Sequence, residues 1–146
     1  MTATKTLAIL FVGAAGLAGL AVGPRIATAG AQEEYAVFQS PSGNTHCFVS
    51  SEFASCEVRV FNGKVPPRPV DCDLDWVPGA SVNTKGRVSA FSCQGDTNVS
   101  PGSLKLAYGK SVKRGPFTCA SSASGITCTL KSGRGFLASR MVIRKF

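Results

Sequence analysis

The chain has 146 residues, 16 lysines and arginines against 8 acidic residues, one histidine and six cysteines, for a formal charge of +8. A single imidazole leaves no material for a multi-histidine metal centre. The cysteines, at 47, 56, 72, 93, 119 and 128, form no C-x-x-C pair of the kind that zinc requires. Neither a metal nor a cofactor is expected.

The first 29 residues carry the three parts of an export signal. Lys5 supplies the positive start, Leu7 to Val22 is an uncharged apolar run, and Gly23-Pro24 is followed by Ala27 and Ala29 in an A-x-A pattern. Cleavage is expected after Ala29, with Ala31 as the second choice. The alternative is an uncleaved anchor, but 16 apolar residues fall short of the roughly 20 that span a bilayer. No transmembrane segment is expected once the signal is processed. Residues 30–146 then form one exported domain with a formal charge of +6. All six cysteines lie within it, and an even count behind an export signal implies disulfides.

From Glu33 to Val49 the sequence reads strand, turn, strand, with the break at Pro41-Ser42-Gly43-Asn44. Ala54 to Phe61 alternates, with Cys56, Val58 and Val60 on one side and Glu57, Arg59 and Phe61 on the other. Asn62-Gly63 has hairpin-turn chemistry, because both positions tolerate positive φ. Pro66, Pro67 and Pro69 remove three amide donors, so residues 64–81 read as an extended surface crossing closed by a Pro78-Gly79 turn. Trp76 is expected as a plug beneath it, with ligand stacking as the alternative. Gly86 to Gly95 returns to alternation, with Val88, Ala90 and Ser92 against Ser89, Phe91 and Cys93, and Leu104, Leu106 and Tyr108 share one side of a further strand. Turns every 8 to 12 residues, without βαβ alternation or heptads, predict an all-β fold: a small antiparallel sandwich or barrel.

The segment "GPFTCASSASGITCTLKSGRGF" (115–136) predicts a clamped hairpin. With Cys119 opposite Cys128, each pair of facing residues has the same position sum, and Ala123-Ser124 falls at the tip. Opposed residues in a non-hydrogen-bonded pair lie about 4.5 Å apart at Cα, within disulfide reach. The same construction joins Cys47 to Cys56 around Ser51-Glu52, leaving Cys72 for Cys93. Gly133-Arg134-Gly135 lacks the Lys-Ser/Thr of a Walker loop and the helix of a dinucleotide loop, so a tight turn presenting Arg134 is expected. "SPSGNTHC" and "SSASGITC" run alike, which raises a duplicated hairpin.

Charge is the clearest functional signal. After Asp96 come nine cations and no carboxylate. A one-signed segment attracts polyanions, and Lys113, Arg114, Lys131 and Arg134 are the candidate anion-binding residues. The expected function is a non-catalytic binding module whose basic C-terminal third meets an anionic cell-wall polymer, a lipid headgroup or a host polyanion, with no specific nucleic acid. A small secreted hydrolase of the ribonuclease type is the competing class, built on His46, Glu57 and Arg59. A purely structural surface protein is the third. Asp71, Asp73 and Asp75 alternate like a calcium-liganding run but lack the glycine and glutamate of an EF-hand loop, so a solvated acidic edge is expected.

Taken together, "FQSPSGNTHC", "CEVR", "PPRPVDC", "DW", "CQGDT", "LAYG", "FTCASSASGITC" and "GRGF" resemble an uncharacterised family of small secreted proteins from mycobacteria and related actinobacteria. The resemblance covers nearly all of residues 30–146 and implies export and a common fold, without a reaction. The family pattern favours an apolar residue and Gly where this chain has Thr45 and His46, and His where it has Arg134.

Overall fold

The computed structural model describes residues 34–146, so the export signal expected over residues 1–29 lies outside the described residues. Eleven strands and no helix are found among them. β1 (Tyr35–Gln39), β2 (Thr45–Ser50), β3 (Phe53–Val58), β4 (Asp75–Asn83), β5 (Val88–Gln94) and the short β6 (Leu104–Lys105) make one sheet. Its order is β5-β4-β3-β2-β1-β6. β7 (Ser111–Arg114), β8 (Phe117–Ser122), β9 (Gly125–Leu130), β10 (Gly135–Ala138) and β11 (Ile143–Lys145) make the second, in the order β11-β10-β9-β8-β7. Every pairing is antiparallel except β1 with β6, where Phe38 faces Leu104 in parallel register.

The period-two alternation of the sequence becomes the inner faces of a sandwich. Phe38, Val49, Val58 and Val82 of the first sheet meet Phe117, Ile126, Leu130 and Phe136 of the second in one buried cluster. Burying such side chains stabilises by roughly 1.5–3 kcal/mol each.

The three bridges are those expected from spacing: Cys47–Cys56, Cys72–Cys93 and Cys119–Cys128. Register explains the two nine-residue closures. Cys47 directly faces Cys56, and Cys119 directly faces Cys128. Their Cα atoms stand 4.1 and 4.0 Å apart. All four sulfurs point inward, and Sγ of Cys56 comes within 3.8 Å of Sγ of Cys128 across the core. Cys72 and Cys93 join the irregular crossing to β5. Each bridge thus stays on its own side of the sandwich.

Three local expectations are corrected. Asn62-Gly63 is no hairpin tip: β3 ends at Val58, the chain runs irregularly to Asp75, and the Asn62 amide donates to the Arg140 carbonyl (2.8 Å). Val60 is accordingly exposed and does not continue the buried side of β3. Pro78-Gly79 lies inside β4, a strand with neighbours on both edges. The register slips between Val77 and Ala80, so two residues oppose one, and this bulge excuses Pro78 from donating to the ladder. The lone residue opposite, Phe91, has φ of 59°, a conformation a bulky side chain adopts only under constraint. Its ring stacks on Trp76 at 6.0 Å and meets Phe61 edge-on at 5.6 Å. Trp76 also donates from Nε1 to the Pro66 carbonyl (3.1 Å), which makes it the plug beneath the proline-rich crossing. Finally, Leu104 and Tyr108 are exposed and only Leu106 is buried, because β6 stops at Lys105.

Candidate functional site

Four hairpin tips gather at one end of the sandwich. Thr84, in the β4–β5 tip, donates its amide to the carbonyl of Glu52 in the β2–β3 tip (3.1 Å). A Cβ on Gly115, in the β7–β8 tip, would lie 2.8 Å from Cα of Ser51. Lys131, opening the β9–β10 tip, donates to the Pro116 carbonyl (2.9 Å), and the Arg134 stem lies over Gly86 of the β4–β5 tip.

The Gly-Arg-Gly stretch belongs to this end and is the tight turn expected. Gly133, with φ of 91°, donates to the Leu130 carbonyl (2.8 Å) and sends Arg134 outward. Gly135 has a different reason to lack a side chain: a Cβ there would strike the Cys128 carbonyl oxygen across the β9–β10 ladder.

Two cavities flank that turn. Lys113, Thr118, Thr129, Lys131 and Gly133 line one of about 610 Å³. Lys113 faces Thr118 and Thr118 faces Thr129 in register, so this is one row across the outer face of three strands. Thr84, Lys85, Gly86, Ser132 and Arg134 line the other, of about 410 Å³, and Leu130 borders both. No carboxylate lines either. Of the four predicted anion residues, the fold therefore joins Lys113 with Lys131 and sets Arg134 around the corner. Arg114 turns away: it pairs with core-facing Phe117, donates from Nη1 to the Lys113 carbonyl (2.8 Å), and its buried Nε has no partner.

Sequence reasoning missed Lys85. Its signal was present in Asn83-Thr84-Lys85-Gly86, a turn in which Asn83 Oδ1 accepts from the amides of Lys85 and Arg87 (both 3.1 Å). Reading cations by sequence segment hid a lysine brought in from the other sheet. The segregation of charge is nonetheless structural. Residues 34–110 hold seven cations and seven carboxylates, whereas residues 111–146 hold seven cations and no carboxylate. One layer of the sandwich is neutral and the other carries the net charge.

The hydrolase trio fares differently. His46 and Glu57 face each other in register on the outer side of the first sheet. His46 is only 2% exposed. Its Nε2 donates to the Gly43 carbonyl (3.0 Å) and its Nδ1 accepts from the Ser100 amide (3.3 Å), which defines a neutral tautomer with both nitrogens engaged. Glu57 accepts from Thr97 Oγ1, the Asn98 amide and Gln94 Nε2. The two side chains thus pin the segment between β5 and β6 onto the sheet. Arg59 lies past the end of β3, exposed, with its amide on the Asn44 carbonyl (2.9 Å).

Asp71, Asp73 and Asp75 are all exposed, and among the described residues no group of three or more His, Cys, Asp or Glu could hold a metal ion. The two similar loops are not equivalent by position: one precedes the first cysteine of its bridge, the other sits inside its bridge. Ser42 and Asn44 of the one and Ser122 to Gly125 of the other do line a single cavity of about 420 Å³ at the opposite end of the sandwich.

These features define a disulfide-stapled β-sandwich with a cationic end. Residues 17–146 match the model of a family of unknown function, DUF6636, and the chain belongs to that family. No curated protein matches the chain, and no solved structure does.

Proposed function

We propose that the protein is an exported, non-catalytic binding module that holds an anionic partner at the cationic end of its sandwich. The observation that carries this reading is the convergence of Lys85, Lys113, Lys131 and Arg134 around the β9–β10 turn, in two cavities without a lining carboxylate. Cations of one sign lining partly enclosed walls raise the local potential, and such fields steer association with an anion. Three disulfides in a domain of this size fit an oxidising, extracellular environment. Cell-wall polymer, lipid headgroup and host polyanion all offer the required charge.

The test is retention on an immobilised polyanion as salt is raised. Reversing Lys85, Lys113, Lys131 and Arg134 to Glu should abolish retention. Reversing the exposed Arg59, Lys64, Lys105 and Lys110 changes the net charge equally and should leave most of it. Equal losses in the two variants would reduce the effect to net charge and refute the site. For the hydrolase reading, RNA incubated with wild type and with His46→Ala separates the classes: cleavage above background, lost in the variant, would favour it.

A further inference from the structure

The cationic end continues into a groove across the outer face of the first sheet. A cavity of about 370 Å³, reaching Arg87 and Asn83, shares Phe53, Ser81 and Ser89 with one of about 440 Å³ that reaches Glu57, Asp96 and Asn98. The floor is a row of hydroxyls in direct register, Ser55 facing Ser81 and Ser81 facing Ser89. From the Glu57 row to the Phe53 row is four residues of strand, roughly 14 Å, room for a short oligosaccharide.

One wall is an aromatic ring held in place. Phe53 stacks on Phe48 at 5.1 Å, and Phe48 on Tyr35 at 5.4 Å. One face of Phe53 is thus covered by protein, while the residue stays 39% exposed and borders both cavities. A braced ring costs little entropy on binding, and its electron-rich face suits the C–H face of a sugar.

The charges along the groove select among ligands. Arg87 stands at one end, beside the tip that carries Lys85, and with Arg134 these outnumber the one carboxylate there, Glu52; Glu57 and Asp96 stand at the other end with no cation lining the cavity. A polymer charged at every unit, such as a nucleic acid strand, would push its anions against those carboxylates. A neutral polyhydroxyl body with its anionic group at one end meets hydroxyls, amides and carboxylates along its length and cations at its terminus. From this we infer that the anionic partner is an acidic glycan: sugar units lie on Ser55, Ser81 and Ser89 against Phe53, and a carboxylate or phosphate group sits at Arg87, Lys85 and Arg134. This rests on the anion-binding reading above.

The test uses a panel of oligosaccharides, each presented neutral and with one terminal carboxylate or phosphate, together with inorganic tripolyphosphate as an anion without sugar. Wild-type protein should bind at least one acidic member at least tenfold more tightly than its neutral counterpart and more tightly than tripolyphosphate. Phe53→Ala, and independently Ser89→Trp, which fills the groove from an exposed position, should each erase that preference and leave tripolyphosphate binding unchanged. Arg87→Gln should lower the acidic member toward the neutral one. Tripolyphosphate binding as tightly as every glycan, or folded Phe53→Ala and Ser89→Trp variants that bind like wild type, would overturn the glycan and spare the cationic site. Binding of none of the anionic probes would overturn both.

Discussion

Sγ of Cys56 lies 3.8 Å from Sγ of Cys128, although the two belong to different bridges and different sheets. The contact places a foreign disulfide within reach of any thiol made at Cys56. In a Cys47→Ser variant, the Cys56 thiolate can attack Sγ of Cys128, forming a Cys56–Cys128 bond and releasing the Cys119 thiolate. Non-reducing peptide mapping of that variant should find Cys56–Cys128 alongside the native Cys119–Cys128. Recovery of the native bridge alone would show that the core holds the sulfurs too rigidly for exchange.

The bridges should rank in stability by burial and not by loop length. Chain entropy assigns about 2.6 kcal/mol to a closure of nine residues and about 3.3 kcal/mol to one of 21. Against that difference of about 0.7 kcal/mol stands a packing loss of about 1 kcal/mol per deleted core atom of methyl size. Cys47, Cys56, Cys119 and Cys128 are 0–2% exposed, whereas Cys93 is exposed. Removing either core bridge as a Cys→Ala pair should therefore cost more than removing Cys72–Cys93, as read by urea midpoints at equal m.

Glu57→Gln isolates the anchoring of the segment between β5 and β6. The carboxylate accepts from Thr97 and Asn98 of that segment and from Gln94 at the end of β5, and hydrogen bonds to a charged acceptor contribute roughly 1.5–3 kcal/mol. A loss of about 2 kcal/mol is expected, with faster amide exchange at Asn98 and Ser100 than in the second sheet. Uniform acceleration everywhere would mean that Glu57 supports the whole fold.

Gly135→Ala should be among the most damaging single changes. Its methyl would meet the Cys128 carbonyl and the Phe146 ring, and neither backbone can withdraw without breaking the β9–β10 ladder. Overpacking of this kind costs typically 1–3 kcal/mol or more. Gly102→Ala separates the two costs a glycine can carry, since nothing lies within 4 Å of a Cβ there and only its φ of 86° opposes a side chain. A thermal midpoint for Gly135→Ala equal to that of wild type would contradict the close approach.

The alternation around Cys119 and Cys128 and the equal spacing of Cys47 and Cys56 made two hairpins, two bridges and the all-β class legible, because strand register is set by a period of two. Pro78-Gly79 was misread for a physical reason. Proline and glycine mark turns by local conformation, but a bulge meets the same local demands within a strand, and only the partner strand decides which occurs. Asn62-Gly63 failed similarly, since its amide is satisfied by Arg140, distant in sequence. At the candidate site, Lys113, Lys131 and Arg134 were visible as a run of one sign. Lys85 and the groove beside Phe53 arise only when hairpin tips from both sheets meet.

That each sulfur bridge stays on its own side of the sandwich leaves the backbone between β6 and β7 as the sole covalent tie from one layer to the other. Scission within residues 107–110 would yield two stapled fragments, one of them bearing no carboxylate side chain. The apolar seam between them should be enough to hold the fragments as a complementing pair, so this short connector is where the molecule could be split and reassembled.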